Sequence, residues 1–286
     1  MDGYPIREFS KLTGVNPVTL RAWERRYGII RPMRTQKGHR YYTDEHVEIV
    51  RNILYWIEQG YPIRQVKLLL QAPAEESGDS GEDWRRQQDQ LLRAANQFNA
   101  RALDDQIHTG LACYPMAVYW ERCLLPVLEH LRADTNAAPA LRSFEYLLKR
   151  KLNSLVALQQ KHAEGKTLLM ATNHADAELQ VLALAYALGA AGFRVEYFGS
   201  QLIPDDIRIA VPVVSVSWLW VHVHPSTTDD IRSWQSLCGD AQVPVYLSGA
   251  LDESAAAGQQ SLNTHVLPDR TSAMVSQFIT TSGEEL

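Results

Sequence analysis

The stretch Asn16–Tyr42, NPVTLRAWERRYGIIRPMRTQKGHRYY, decides the fold of the amino-terminal part of the chain. Asn16 is a favourable helix N-cap and Pro17 suits the first helical position, so a helix is predicted to begin there and to end at Gly28. Two short extended runs follow, with turn residues between them, and the second run is His39–Tyr42. The stretch therefore predicts a short basic helix followed by a β-hairpin.

The residues before this helix complete a recognisable motif. Ile6, Phe9 and Leu12 lie at helical spacing, and Thr13–Val15 makes a tight connection to the second helix. Two helices joined by a short turn, with a hairpin after them, are the layout of a winged helix-turn-helix.

One face of the predicted second helix is expected to remain exposed. Leu20 and Trp23 are three residues apart and are predicted to face a core. The other face is left available to solvent or to a groove, and it carries Thr19, Arg21, Glu24 and Arg25.

Charge is divided unevenly along the chain. The formal net charge is −5 over 286 residues, yet residues 1–72 hold 12 Lys and Arg against 7 Asp and Glu, whereas the remainder holds 16 against 26. A basic patch neutralises phosphates and supplies the sequence-independent part of DNA affinity. Nucleic-acid binding is therefore predicted for the amino-terminal domain alone.

The run Arg21–Gly28, followed by Arg34–Thr35 and Gly38–Arg40, resembles the MerR family of winged-helix regulators, in the branch that includes CarH, LitR and MlrA. The resemblance covers roughly residues 4–71. It implies a transcriptional regulator that binds double-stranded promoter DNA and is not an enzyme. From the residues alone, a solvated basic surface on a small helical domain remains the alternative.

Eight side chains are predicted to contact DNA. The helix supplies Thr19, Arg21, Arg25 and Tyr27, and the hairpin supplies Arg34, His39, Arg40 and Tyr41. Arginine bonds guanine edges or phosphates, whereas Tyr and His in a hairpin more often hold the DNA backbone.

Three further regions are predicted after the winged helix-turn-helix domain of residues 1–72. Residues 73–84 are acidic and rich in Gly, Ser and Pro, which is typical of a linker. Residues 85–163 have helical periodicity with breaks at Asn99–Ala100, Tyr114–Pro115 and Thr135–Pro139, which favours a four-helix bundle. Residues 164–281 alternate short apolar runs with helical stretches, which predicts a flavodoxin-like doubly wound α/β domain. The fold class is thus α/β and multidomain.

The strands and helices of the α/β domain are predicted from this alternation. Strands are expected at Thr167–Ala171, Arg194–Phe198, Val211–Val223, Pro244–Leu247 and His265–Leu267. Helices are expected at Asp176–Ala191, Thr228–Leu237 and Arg270–Thr280.

The order of the domains resembles the cobalamin-binding photoreceptor regulators of the CarH and LitR type. In that type the bundle offers a Trp and a Glu-His pair to the upper face of the corrin, and the α/β domain offers a lower axial His. Alignment places Thr135 at the Trp position, Glu145 and Tyr146 at the Glu-His pair, and Ala177 at the lower His. Because Ala does not replace an imidazole as a cobalt ligand, these positions are degenerate and no cofactor is predicted.

Other site candidates carry weaker signals. His174, Asp176 and Glu178 alternate at a predicted helix start, where capping and solvation are commoner roles than metal binding. His222 and His224 end a predicted strand without a nearby Cys or carboxylate motif, so polar strand-end roles are favoured. No metal site is predicted.

Cysteine spacing and hydropathy indicate the compartment. Cys113, Cys123 and Cys238 show no CxxC spacing and are odd in number, which fits a reducing cytoplasm. The most apolar stretch, Val211–Val223, is too short and too interrupted to span a bilayer, so a soluble cytoplasmic protein with no membrane partner is expected.

Two functional hypotheses follow. The first is a repressor that binds an inverted repeat as a homodimer or higher oligomer, paired through its second half; resemblance implies that sensing is delegated to a partner such as a blue-light LOV photoreceptor. The alternative is a regulator that itself binds cobalamin or another tetrapyrrole and senses light or ligand, with aromatic surface from Tyr146, Trp218 and Trp220. An enzyme is disfavoured because no catalytic constellation is found.

Overall fold

The chain divides into two compact units, Met1–Lys151 and Leu152–Glu285. The computed structural model describes residues 3–35, 38–70, 80–161, 163–224, 233–234, 241–249 and 264–283. The first unit contains both the predicted DNA-binding domain and most of the predicted helical region, so these two regions pack together rather than standing apart.

The two predicted helices and the hairpin occur in the predicted order, with one additional strand before them and two further helices after them. The elements are β1 (Tyr4–Pro5), α1 (Ile6–Thr13), α2 (Pro17–Ala22), a π-helical turn over Trp23–Tyr27, β2 (Met33–Arg34), β3 (Arg40–Tyr42), α3 (Asp44–Glu58) and α4 (Ile63–Leu69).

The predicted ends of the second helix are confirmed. The Asn16 side chain accepts a hydrogen bond from the Val18 amide at 2.8 Å, which satisfies one of the free donors at the start of α2. Gly28 ends the helical segment with φ of +60°, a conformation that glycine adopts without steric cost.

The hairpin belongs to a three-stranded antiparallel sheet of order β1-β3-β2. Tyr4 pairs with Tyr42, and Met33 pairs with Tyr41. Strand β1 is only two residues long and was not predicted. The Tyr42 ring is buried and stacks on Phe9 at 4.1 Å between centroids, which fixes the hairpin to helix α1.

The predicted linker of residues 73–84 is wrong at its carboxyl end. Helix α5 begins at Ser80. Glu82 and Asp83 lie in its first turn, where negative charge interacts favourably with the positive end of the helix dipole. Trp84 is buried, and its Nε1 donates to the Gly60 carbonyl at 2.8 Å. This end of the predicted linker is therefore packed structure, while residues 71–79 lie outside the described part of the chain.

Long helices follow. They are α5 (Ser80–Asn96), α6 (Ala100–Cys113), α7 (Met116–Tyr119), a π-helical turn over Trp120–Leu124, α8 (Leu125–Ala133) and α9 (Ala138–Gln160). The predicted breaks near Tyr114 and near Thr135 are confirmed, since α6 ends at Cys113 and a 3-10 turn covers Thr135–Ala137.

The second unit is built on a parallel five-stranded sheet. Its elements are β4 (Thr167–Thr172), α10 (Glu178–Ala190), β5 (Arg194–Tyr197), α11 (Pro204–Val214), β6 (Trp218–Val223), β7 (Val245–Gly249), β8 (Thr264–Val266) and α12 (Thr271–Thr281). The strand order is β5-β4-β6-β7-β8, and every neighbouring pair is parallel. This is the flavodoxin-like order, in which the first and third strands lie side by side.

One predicted strand is wrong over its first part. The run Val211–Val223 was expected to be extended, but its first four residues belong to helix α11. Pro204 at the first helical position and two acidic residues after it start the helix, and Ser215 ends it with φ of +55°. The predicted helix Thr228–Leu237 falls almost entirely outside the described residues, apart from 233–234.

Apolar side chains fill both faces of the sheet. On one face Trp218 and Trp220 pack edge-on or tilted against Phe278 of helix α12, with centroids 6.0 and 5.3 Å from it. Both indoles are buried, so they form core rather than the aromatic ligand surface considered above. On the other face Ile207 and Trp234 are buried against strands β4, β6 and β7.

Among the residues that the structure describes, no helix combines the length and the apolar character needed to cross a lipid bilayer.

Candidate nucleic-acid interface

A groove of about 680 Å³ lies between the start of the described chain, helix α2 and the β2–β3 hairpin. Its lining includes Arg7, Arg21, His39, Arg40 and Tyr41, and the described lining contains no carboxylate. A concave surface with three guanidinium groups attracts phosphate oxygens electrostatically and by charge-assisted hydrogen bonds. Four of the eight predicted DNA contacts therefore share one surface, which we call the basic groove.

Sequence reasoning missed Arg7, which lies in helix α1 and lines the basic groove. The helical spacing within α1 predicts only its apolar face. The position of Arg7 depends on how α1 packs beside the hairpin, through Phe9 and Tyr42, and those two residues are far apart in sequence.

Glu24 connects the hairpin to the helical segment that continues α2. Its carboxylate accepts hydrogen bonds from Arg34 at 3.2 Å and from Arg40 at 2.7 Å, and its side chain is only 16% exposed. The bond to Glu24 raises the pKa of the Arg40 guanidinium, so the guanidinium stays charged. Glu24 was expected to face solvent or a groove; it instead positions two arginines that were predicted to contact DNA.

Thr19 does not face a groove in this structure, and the expectation that it is exposed is wrong. It is 1% exposed, and its hydroxyl donates to the Leu111 carbonyl at 3.2 Å. Trp23 is fully buried, and its Nε1 donates to the Cys113 carbonyl at 2.7 Å. Both acceptors belong to the last turn of helix α6, where carbonyls lack partners within the helix.

The sequence makes the Leu111 carbonyl dependent on this contact. The residue four positions later is Pro115, which has no amide hydrogen to donate. Side chains of helix α2 therefore cap the carboxyl end of helix α6. In the sequence, Pro115 indicates that the Leu111 carbonyl lacks an amide donor. The side chain that donates instead lies about 90 positions away, and only the folded chain identifies it.

Tyr27 also faces helix α6 rather than the basic groove. Its hydroxyl lies 3.3 Å from the Cys113 Sγ, and Arg26 donates to the same sulfur at 3.5 Å. Burial, the main cause, and the bond to Cys113, the second cause, raise the pKa of Tyr27 to about 12, so the phenol stays protonated. Arg25 is exposed and does not line the groove, while Arg34 is 53% exposed beside Glu24.

Comparison with known proteins identifies this arrangement. Residues 4–73 match the model of the MerR HTH family regulatory proteins. Residues 4–73 are a MerR-family domain. The chain is 29% identical over 238 residues to the HTH-type transcriptional regulator MlrA of Escherichia coli, covering 81% of this chain and 94% of that protein. It is 24% identical over 286 residues to the HTH-type transcriptional repressor CarH of Myxococcus xanthus, covering 92% and 94% respectively.

The MerR-family domain is thus joined to a second half whose fold is also known. The monomethylamine corrinoid protein of Methanosarcina barkeri superposes with a TM-score of 0.50 at 12% identity, over 68% of this chain and 98% of that protein. At this identity the likeness shows the fold alone. Both named relatives are HTH-type transcriptional regulators.

The structure shows the surroundings of the four residues that the sequence alignment places at corrin-contacting positions. Glu145 accepts a hydrogen bond from Arg132 at 3.0 Å, and Tyr146 is 64% exposed beside the Arg150 guanidinium. Thr135 is exposed in its 3-10 turn. Ala177 is buried, and its methyl group cannot ligate a metal.

Residues from the two weak site candidates of the sequence analysis lie close together in the folded chain. His174 and Asp176 follow strand β4, His224 follows strand β6, and one ligating atom from each lies within 4.8 Å of the others. His222, two residues earlier on β6, is buried, and burial lowers its pKa to about 4, so its ring is neutral. His222 Nδ1 pairs instead with the Ser248 hydroxyl at 2.8 Å and does not join the cluster.

Proposed function

We propose that this MerR-family regulator binds double-stranded operator DNA through the basic groove and acts as a repressor on an inverted repeat. The observation that carries this proposal is the convergence of Arg7, Arg21, His39 and Arg40 on one concave surface of a helix-turn-helix domain. Such a domain places its second helix in the major groove, and helix α2 is that helix here.

Within the interface, Arg21 lies on helix α2 and is proposed to reach base edges. Arg40, His39 and Tyr41 lie on or beside the hairpin, which serves as the wing and is proposed to hold the DNA backbone. Arg25 and Arg34 are exposed and are proposed to extend the contact beyond the groove. The Glu24 ion pairs keep the wing at a fixed distance from helix α2.

Thr19 and Tyr27 require a different conformer in order to contact DNA. Both are engaged with the last turn of helix α6, through the Leu111 carbonyl and the Cys113 sulfur. We propose that these two residues contact DNA only after helix α2 separates from helix α6. The groove residues need no such movement, since their side chains line an open surface.

A dimer is proposed because one domain of about 70 residues covers only one half-site of an inverted repeat. Two half-sites lie about 34–36 Å apart on the same face of DNA, so two copies of the DNA-binding domain must be paired. The acidic remainder of the chain is proposed to supply the pairing contacts and to stay off the phosphate backbone.

Sensing is proposed to be delegated to a partner protein rather than to bound cobalamin. The poor fit at Thr135, Tyr146 and Ala177 supports this proposal. A blue-light LOV photoreceptor is the proposed type of partner. If affinity purification of the chain from illuminated and dark lysates recovers no photoreceptor in either state, this part of the proposal is rejected.

The alternative function, a regulator that itself binds a corrin or another tetrapyrrole, is favoured only by the shared fold. It predicts a visible absorption band when the purified chain is mixed with adenosylcobalamin and separated from excess ligand. Sensing by a separate partner predicts a colourless protein whose solution mass is the same with and without the cofactor, in light and in dark.

The DNA-binding proposal is tested by selecting duplexes from a random library with the full-length chain. The expected result is a selected inverted repeat whose binding weakens steeply with salt, because each neutralised phosphate contributes about −0.9 to the slope of log K against log salt. Recovery of no common sequence after repeated rounds, with affinity equal to that for bulk DNA, would contradict sequence-specific binding.

A further inference from the structure

The carboxyl ends of strands β4 and β6 form a crevice at the switch point of the sheet. These strands are the first and third of the α/β domain and lie side by side, with Thr172 paired to His222. In doubly wound sheets, ligands bind where adjacent strands lead to helices on opposite faces. The residues that follow β4 and β6 are therefore placed where this fold receives ligands.

The two loops at this crevice are fixed to each other by Asn173. Its side-chain amide donates to the His224 carbonyl at 3.1 Å, and its side-chain oxygen accepts from the His224 amide at 2.7 Å. This pair of hydrogen bonds holds the backbone of both loops in register. It brings the neighbouring His174 ring onto the His224 ring, with centroids 4.5 Å apart and an interplanar angle of 18°.

Asp176 completes the group from the same loop as His174. Its Oδ2 lies 3.6 Å from the His174 Nδ1, and that nitrogen also accepts the Asp176 amide at 3.2 Å. Capping of the following turn accounts for the His174 Nδ1. This capping role explains neither the position of the His174 Nε2 nor the stacking of the His224 ring on the His174 ring.

Two imidazoles and one carboxylate are the donor set of an open transition-metal site. Zn²⁺ is bound by His nitrogen and Asp oxygen at about 2.0–2.2 Å, and a site with three protein ligands keeps a fourth position for water. Tetrahedral geometry at those lengths separates ligand atoms by about 3.3–3.6 Å, so atoms now within 4.8 Å need to approach by at most about 1.5 Å. Side-chain rotation of the partly exposed His174 and exposed Asp176 supplies this movement.

We propose that His174, Asp176 and His224 bind one divalent transition-metal cation of the Zn²⁺ class, and that the cation links the loops after β4 and β6. Mg²⁺ and Ca²⁺ are poor candidates because they prefer oxygen ligands and here meet two nitrogens. The site does not depend on DNA binding. It uses the loop that carries Ala177, where the corrin ligand is missing.

The test measures Zn²⁺ bound per chain by equilibrium dialysis of the full-length, tag-free, chelator-treated protein, followed by elemental analysis. The variants are His174→Ala, Asp176→Asn and His224→Ala; Asp176→Asn nearly preserves side-chain volume and so guards against loss of folding. His108→Ala and His130→Ala are matched controls, because both remove an exposed histidine from a helix outside the cluster.

The expected result is one Zn²⁺ per chain for the wild type and for both controls, with affinity at least about tenfold weaker in each of the three site variants. Mg²⁺ at equal concentration should not compete. Absence of stoichiometric Zn²⁺ binding at concentrations up to about 100 µM overturns the proposal. Equal binding by the wild type and a correctly folded Asp176→Asn variant also overturns it.

Discussion

Replacement of Thr19 by Val tests whether helix α2 is held on helix α6 by the capping hydrogen bond. Val keeps the shape and the β-branching of Thr but removes the hydroxyl that donates to the Leu111 carbonyl at 3.2 Å. That carbonyl is left without an amide partner, because the residue four positions later is Pro115. Thr19 is 1% exposed, so water does not replace the lost donor while the contact stays closed.

The expected cost follows from this burial. A buried acceptor left without its donor costs about 1–3 kcal/mol, and the retained apolar packing of Val places the expected loss at about 1–2 kcal/mol. A loss of that size multiplies the population of locally opened molecules by about 5–30. Helix α2 should therefore open more often, while the rest of the protein should be unaffected.

Amide hydrogen exchange, followed by mass spectrometry of peptides covering residues 17–27, measures this opening directly. Exchange there should accelerate about 5–30-fold in Thr19→Val. Thr109→Val is the matched control, since Thr109 is an exposed threonine on helix α6, and it should change exchange little. Equal protection of residues 17–27 in the two variants would refute a stabilising role for the Thr19 hydrogen bond.

Three further predictions concern the wing, the sheet and a buried thiol. Glu24→Gln should accelerate exchange of the hairpin amides about 2–5-fold, because two partly screened ion pairs are lost. The control Glu48→Gln breaks an exposed ion pair on α3 and should not accelerate this exchange. Equal exchange rates of the hairpin amides in the two variants would contradict the role of Glu24. Ser248→Ala should destabilise the α/β unit by about 1–3 kcal/mol in urea unfolding, because the buried hydroxyl bonds both an indole and an imidazole. Its control, the exposed Ser276→Ala, should stay within about 0.5 kcal/mol, and a similar midpoint for both variants would count against the bridging role. Iodoacetamide at pH 8 should label Cys123 far more slowly in the native chain than in urea. Burial raises the pKa of the Cys123 thiol to about 12, so only about one thiol in ten thousand is ionised at that pH. Equal labelling rates in the two conditions would show that the thiol is accessible.

Local rules predicted the elements whose determinants lie close together in sequence. The side chain of Asn16, the ring of Pro17 and the positive φ of Gly28 set the bounds of helix α2 within a few residues. The parallel sheet was likewise predicted from alternating apolar runs, and its strand order agrees with the doubly wound type. Val211–Val214 was misassigned because an apolar run alone does not distinguish a strand from a short helix.

Contacts between distant segments explain what the sequence did not reveal. The exposure of Thr19 was predicted from helix periodicity, but Leu111 covers it from 92 positions away. The cluster of His174 and His224 was missed because each was weighed with its own neighbours in sequence. Asn173 joins their loops across 51 positions, and no pattern within one segment indicates such a pairing.

Binding of the full-length chain to a selected inverted repeat, with Arg21→Ala compared against Arg101→Ala, tests the central claim most directly. Arg21 lines the basic groove, whereas Arg101 is an exposed arginine on helix α6 with 94% of its side chain accessible, so both variants remove the same charge. Arg21→Ala should weaken specific binding by about 1–3 kcal/mol, and Arg101→Ala should match the wild type. Unchanged affinity and an unchanged footprint for Arg21→Ala would contradict the assignment of the basic groove as the DNA-reading surface.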